Sequence, residues 1–313
     1  MPKVTVIIAA YNRSRLLKCA LTSLCNQTHK DFEAWIVGDC CTDDSGQIVA
    51  GFCDARLNWS NLPERVGSQS GPNNEGLKRA RGEYIAYLGQ DDLWFPWHLQ
   101  SLVTTIEQTN TDFVHAVVAL LAPDRPPEAA GAPECRRSDG ERNFSPSGCL
   151  HKRKIAETCG PWPLPEGLTG CVDFVFQRRA FFAGYRFAGT GRVSVIKFPS
   201  AYWRTYARSE GFPQEQYLSR MQQSCNELEI HLLTQMVVSS VQRAEDLSIM
   251  RSLRMFLRSV YWRAVDWYGR DNWPLSIYFR EKQHRGRQSA LPRRGLSPIP
   301  SEAAEAKNQP GSI

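Results

Sequence analysis

Two adjacent carboxylates, Asp91 and Asp92, follow the apolar run Tyr84-Ile85-Ala86-Tyr87-Leu88 and precede Leu93-Trp94. An apolar run that ends in acids reads as a buried strand delivering charge to a sheet edge. The ends of strands are where open α/β sheets bind ligands. Side-by-side carboxylates repel, so water or a cation is expected to face them. Mg2+ or Mn2+ held by one or two carboxylates plus substrate phosphates is the usual arrangement in nucleotide chemistry. A solvated Asp-Asp turn capping the next helix explains the dipeptide alone at least as well, because short motifs match by chance. A second acid-rich turn is Gly38-Asp39-Cys40-Cys41-Thr42-Asp43-Asp44-Ser45-Gly46.

The elements around these residues repeat one pattern. Val4 to Ala10 is a β-branched run, Tyr11-Asn12-Arg13-Ser14 a turn, and Leu16, Leu17, Ala20, Leu21 and Leu24 fall at helical spacing. Ser14 or Asn12 is expected to cap that helix. Further strands are expected over Phe32 to Val37, near Arg56 to Trp59, from Tyr84, over Phe113 to Leu121 and over Val193 to Phe198. Between them, helices are expected over Gln47 to Phe52, Glu75 to Arg81 and around Leu99, Leu102, Val103 and Ile106, with Pro96 in a first helical turn and Ser68 to Asn74 a polar loop. Such alternation implies a mostly parallel sheet flanked by helices.

The chain resembles the family 2 glycosyltransferases in several blocks, in the family's order. These are Val4 to Arg13; Leu21 to Thr28 followed by Asp31-Phe32-Glu33 and the Asp39 turn; Asn74-Glu75-Gly76-Leu77 through Ile85; and Leu88 to Trp94. The first third of the chain is covered densely, and weaker matches reach about Tyr206. The resemblance implies an α/β fold of GT-A type with a helical C-terminal extension. It implies transfer of a sugar from a nucleoside-diphosphate sugar to a hydroxyl acceptor on a glycan, lipid-linked carrier or protein, inverting and assisted by a divalent metal, Mn2+ or Mg2+. Ala9, Tyr11 and Arg13 would contact the nucleotide, Asp39 would accept from the ring N–H of the base, and Asn74 would belong to the substrate site. Asp91 matches the metal-binding acid of the Asp-x-Asp motif, with Asp92 a helper. Trp94, Trp97 and Trp162 could stack on a sugar, although buried core is the default for tryptophan.

The pattern is also broken. Gly89 stands where the first acid of Asp-x-Asp is expected, and Val172 where a Glu precedes the acid of a Glu-Asp block. Asp173 is the candidate base for the acceptor proton; the alternative is an acid stabilised at a helix N-terminus. His98 is expected to face acceptor or solvent. The two departures favour a second reading, a degenerate nucleotide-sugar-binding protein without turnover.

Residues 1–206 are expected to form the transferase domain: 1–121 the nucleotide-sugar half, 122–147 a loop or insertion facing the acceptor, and 148–206 the acceptor half. Residues 207–282 are expected to be helical, with long segments over Gln214 to Ser240 and Ala244 to Tyr268, and 283–313 a disordered tail. The chain has 313 residues and 42% hydrophobic content, enough for one large core. No apolar run is long enough to span a bilayer, and no charged-then-apolar leader precedes Val4. Ten cysteines lack paired Cys-x-x-Cys spacing, which suggests a reducing cytoplasm. From Arg251 to Arg294 eleven basic residues face three acidic ones, with Trp262, Trp267, Trp273, Tyr278 and Phe279 interleaved. That suits contact with the anionic inner face of a membrane, and a helix packed on the catalytic domain with a solvated basic face explains it at least as well; no nucleic-acid motif accompanies it.

Overall fold

The buried run Val4–Ala10 forms β1, covered on both faces, as a central parallel strand must be. It pairs in parallel with β2 (Phe32–Gly38) and β4 (Tyr84–Tyr87), and β2 with β3 (Leu57–Asn61). The sheet continues through β8 (Cys149–Lys152), antiparallel to β4 and to β6 (Phe113–Ala122). Strand β6 runs parallel to β9 (Phe187–Lys197), which pairs antiparallel with the two-residue β5 (Leu93–Trp94). The described residues give one nine-stranded sheet in the order β3-β2-β1-β4-β8-β6-β9-β5, with β7 (Arg125–Ala130) on β6. This is a computed structural model; it describes residues 1–131, 144–165, 168, 171–207, 210–245 and 260.

The helices are α1 (Ser14–Cys25), α2 (Ser45–Gly51), α3 (Ser70–Arg79), α4 (His98–Thr109), α5 (Lys154–Cys159), α6 (Val172–Phe182), α7 (Ser200–Trp203), α8 (Pro213–Gln223) and α9 (Cys225–Glu245). One core joins β1, β2 and β4 to α1 and α4 through Val6, Ile8, Leu17, Leu21, Leu99 and Leu102. On the other face Ile7, Tyr87, Trp162 and Phe176 pack β1 and β4 against α6. A third cluster seats α8 and α9 on β6 and β9. The alternating reading of the sequence therefore holds, as does the α/β sheet with helical flanks; the sheet is mixed and not mostly parallel, since four of the eight strand pairings among the described residues are antiparallel.

Several boundaries differ, each for a local reason. Helix α1 is capped by neither Ser14 nor Asn12: the Ser14 N–H donates to Asp43 Oδ2 at 3.0 Å, and Asn12 Oδ1 accepts from the Thr42 N–H. Asp43 Oδ1 accepts from the Ser45 N–H and Oγ, so one carboxylate serves the starts of α1 and α2. Helix α3 begins at Ser70, inside the expected polar loop. It lies close on β1, where a Cβ at Gly76 would meet Ile7 Cγ2 at 2.6 Å. Pro96 precedes α4 instead of lying in its first turn. The expected loop after Leu121 is in part a hairpin: β6 reaches Ala122 and turns into β7, where Pro126 and Pro127 are tolerated on an edge strand. Ser224 divides the expected helix Gln214 to Ser240 into α8 and α9. Most of the expected helix Ala244 to Tyr268, the basic segment from Arg251 and the tail 283–313 lie outside the described residues. No helix among the described residues is long and apolar enough to cross a membrane.

Candidate functional site

Strands β1, β2 and β4 run parallel and end together, so Ala10, Gly38 and Tyr87 deliver three turns to one edge. Ala9 is the penultimate residue of β1, in register with Val37 of β2. The Tyr11 N–H donates to Gln90 Oε1 at 2.8 Å, and Gln90 Nε2 donates to the Tyr206 hydroxyl at 2.9 Å. The Arg65 guanidinium lies 4.5 Å from the Tyr11 ring centroid. Arg13 donates from Nε to the Thr205 carbonyl at 3.0 Å and stacks over Tyr206. The expected nucleotide turn is thus gathered with Gln90, Arg65 and Tyr206, which sequence reasoning did not single out.

Asp39 follows β2 and is 5% exposed. Its two oxygens accept from the Val66 and Gly67 N–H groups, each at 2.7 Å. Burial pushes its carboxyl above the usual range, against the pull of those amides and of Arg65. Each carboxylate oxygen has a second lone pair, so a further N–H donor can still be accepted. Asp39 orders the 66–67 loop and caps no helix.

The turn after β4 divides the two adjacent acids. The Asp92 N–H donates to the Gly89 carbonyl at 3.0 Å, folding residues 89–92 back on themselves. Asp91 is half-buried, and its carbonyl accepts from Gln214 Nε2 at 3.1 Å. Asp92 is fully buried. Its Oδ2 accepts from Ser147 Oγ at 2.5 Å and Lys197 Nζ at 2.9 Å, and its Oδ1 from the Phe198 N–H at 3.1 Å. Asp92, expected to help hold a metal, ties the motif to β9 and to residue 147 through three accepted hydrogen bonds. A Cβ at Gly89 would meet Asp92 Oδ2 at 2.7 Å, so Asp92 fills the space of the missing first acid.

Asp173 stands in the first turn of α6, half-buried, with Oδ1 accepting from the Phe174 N–H. Lys197, at the end of β9, joins the acids. Burial lowers its pKa, but Asp92, Asp91 and Asp173 together hold its ammonium above the ordinary lysine range. The nominated metal ligand and the nominated base thus both bear on the charge of one lysine, which pairs directly with Asp92. A lone cation ending the apolar run Val193-Ser194-Val195-Ile196 was the signal that could have found it.

Three other expectations are corrected. Trp94 is fully buried and donates from Nε1 to the Ser147 carbonyl at 2.7 Å, so it cannot stack on a sugar. Trp162 is buried and donates to the Tyr87 hydroxyl at 3.0 Å; Trp97 stacks on Phe95 under Arg192. His98 is fully buried, bonded to Ser194 Oγ at 2.7 Å, and burial takes its pKa down to about 3. Asn74 is a clamp: its side chain accepts from the Trp162 N–H at 2.8 Å and donates to the Trp162 carbonyl at 2.9 Å. It fixes the proline-rich loop that leads towards α6, and contacts no open space through those atoms.

Residues 5–125 match the model of the family described as Glycosyl transferase family 2. An uncharacterised glycosyltransferase of Rickettsia bellii is 34% identical over 115 residues, 36% of this chain and 16% of that protein. The chain thus spans a small part of that relative. The crystal structure of S. aureus TarS 1–349 with UDP-GlcNAc has a TM-score of 0.54 at 21% identity, covering 68% of this chain and 60% of that one. The mannosyltransferase PcManGT of Pyrobaculum calidifontis, with GDP-Man and Mn2+, has a TM-score of 0.51 at 17% identity, covering 94% and 86%. At these identities the two structures establish the shared GT-A fold.

Proposed function

With residues 5–125 a domain of glycosyl transferase family 2, we propose that the protein moves a sugar from a nucleoside-diphosphate sugar to a hydroxyl acceptor. One observation carries the reading. Asp39, the Tyr11–Arg13 turn and the 89–92 turn with its Asp92–Lys197 pair follow the ends of parallel strands β2, β1 and β4, the crevice where such sheets bind nucleotides. The base would lie at Asp39 and the diphosphate between the Tyr11 turn and Lys197. The acceptor oxygen attacks the anomeric carbon as its proton passes to Asp173. The bond from that carbon to the diphosphate oxygen breaks, and its electron pair leaves with the nucleotide. A single displacement of this kind inverts the anomeric centre.

PcManGT is solved with Mn2+, and the chemistry a divalent ion supplies is charge stabilisation of the departing diphosphate. The donor set here lacks the first acid of the expected motif, since Gly89 stands in its place. Asp92 is committed to the protein, position 89 has no space for an acid, and no group of three His, Cys, Asp or Glu among the described residues is placed to hold a metal. Asp91 would be the residue to hold an ion, and no step above is routed through one.

The test is release of UDP or GDP from a panel of sugar donors, with and without simple glycoside acceptors. Release that requires acceptor supports transfer. Donor binding with no release from any sugar would support the binding protein that Gly89 and Val172 suggest. The setting we propose is the cytoplasmic face of a membrane. The basic segment from Arg251 to Arg294 supports it, as do the exposed Ile230, Val237 and Val241 along α9. Co-sedimentation with anionic but not neutral vesicles, relieved by salt, checks it.

A further inference from the structure

We propose that Lys197 is the cation that meets the donor's diphosphate, the task a divalent ion was expected to perform. The inference rests on the transferase reading above and concerns how that site handles charge.

The ammonium is placed for this by three elements. It closes β9, its side chain is 26% exposed, and one of its bonds goes to the buried Asp92. Asp92 is in turn locked by Ser147 Oγ and the Phe198 N–H. An ammonium carries three N–H donors, so two are available on the open side. Asp91, from the turn after β4, and Asp173, from α6, both act on its charge. Lys197 therefore stands beside the 89–92 turn that carries the motif acid, where a donor's diphosphate would sit. A donor fixed before the reaction needs no reorganisation as negative charge develops on the departing oxygen. Lys197 stays protonated throughout, since the acceptor's proton goes to Asp173.

The alternative donor set is poor. A second acid at 89 would press on Asp92, whose carboxylate already accepts three hydrogen bonds from the protein. Asp92 pairs with this ammonium and Asp91 and Asp173 add negative charge that acts on it, so the test must include a free cation.

The measurement is UDP and GDP binding by titration calorimetry, in EDTA and in Mn2+, with circular dichroism to check folding. Wild type should bind one of them in EDTA about as tightly as in Mn2+. Lys197→Met should lose about 10- to 100-fold in EDTA, the worth of one charged hydrogen bond, and Lys197→Arg should lose little. Because Lys197→Met leaves Asp92 buried and unpaired, the double variant Asp92→Asn/Lys197→Met is included; it removes both charges and should lose as much. Wild-type binding that requires Mn2+, or a folded double variant that binds like wild type in EDTA, overturns the assignment while leaving the transferase reading intact. No binding of either nucleotide in either buffer overturns both.

Discussion

Asp173 and Asp92 show how differently two carboxylates of one crevice can be used. Asp173 is half-buried and holds one backbone N–H. Replacing it by Asn keeps shape and removes basicity. Steady-state kinetics of Asp173→Asn should show kcat lower by about two to four orders of magnitude with donor affinity little changed; a loss of a few-fold would assign the proton to another group. Asp92 is buried with three donors on it. Asp92→Ala strands Lys197 and Ser147, and breaking such a buried pair costs about 3–5 kcal/mol. Urea unfolding should therefore show a lowered midpoint for Asp92→Ala, and a near-native midpoint would mean the ammonium escapes to water. The mild effect that two neighbouring acids suggest on paper becomes a large one, expressed as stability before activity.

At the level of elements, the loop 160–165 is held from three directions. Asn74 grips the Trp162 backbone, Ser70 Oγ donates to the Pro163 carbonyl at 2.7 Å, and the Trp162 indole reaches Tyr87. This loop leads to α6 and its Asp173, so α3 positions the proposed base at a distance. Asn74→Ala should cost about 1–3 kcal/mol, because two backbone groups lose their partner, and should slow transfer without changing nucleotide affinity. Unchanged kinetics with a lowered melting temperature would make the clamp structural only. The strands and helices here were legible because their signal is local: β1 is a β-branched run and α1 has apolar residues every three or four positions. Asp39, Tyr11, Arg13 and Asp91 were nominated through motif order, and the structure puts them in the turns that follow β1, β2 and β4. Trp94 was misread because its indole is satisfied by a carbonyl 53 residues away. Lys197 was missed for the same kind of reason, since its partner is 105 residues distant. Contacts at that separation leave no periodic trace in a single sequence.

At the scale of the whole molecule, two fully buried histidines tie stability to acidity. His98 bonds to Ser194 Oγ of β9, and His151 bridges the Tyr87 hydroxyl and the Lys152 carbonyl. Burial takes their pKa values down to about 3 and about 4. Below the ordinary imidazole value near 6.5 the unfolded chain binds protons that the native one refuses. Stability should thus fall as pH drops from about 6.5 towards 4, by about 1.4 kcal/mol per pH unit for each histidine. Urea midpoints at pH 7.0 and 5.0 check this; equal midpoints would mean the rings are reached by water. Strand β9 makes these dependencies converge. It supplies Ser194 to His98, Lys197 to Asp92 and the pairing edge for β5. On a ribosome adding about 5–20 residues per second, residue 197 is made roughly 5–20 s after Asp92. Throughout that interval the family's motifs are already outside the synthesis site, yet a carboxylate destined for the interior has no counter-charge. The nucleotide half therefore cannot complete its fold as an early, independent unit during translation, and a nascent chain stalled before β9 should be sensitive to protease around residues 89–98.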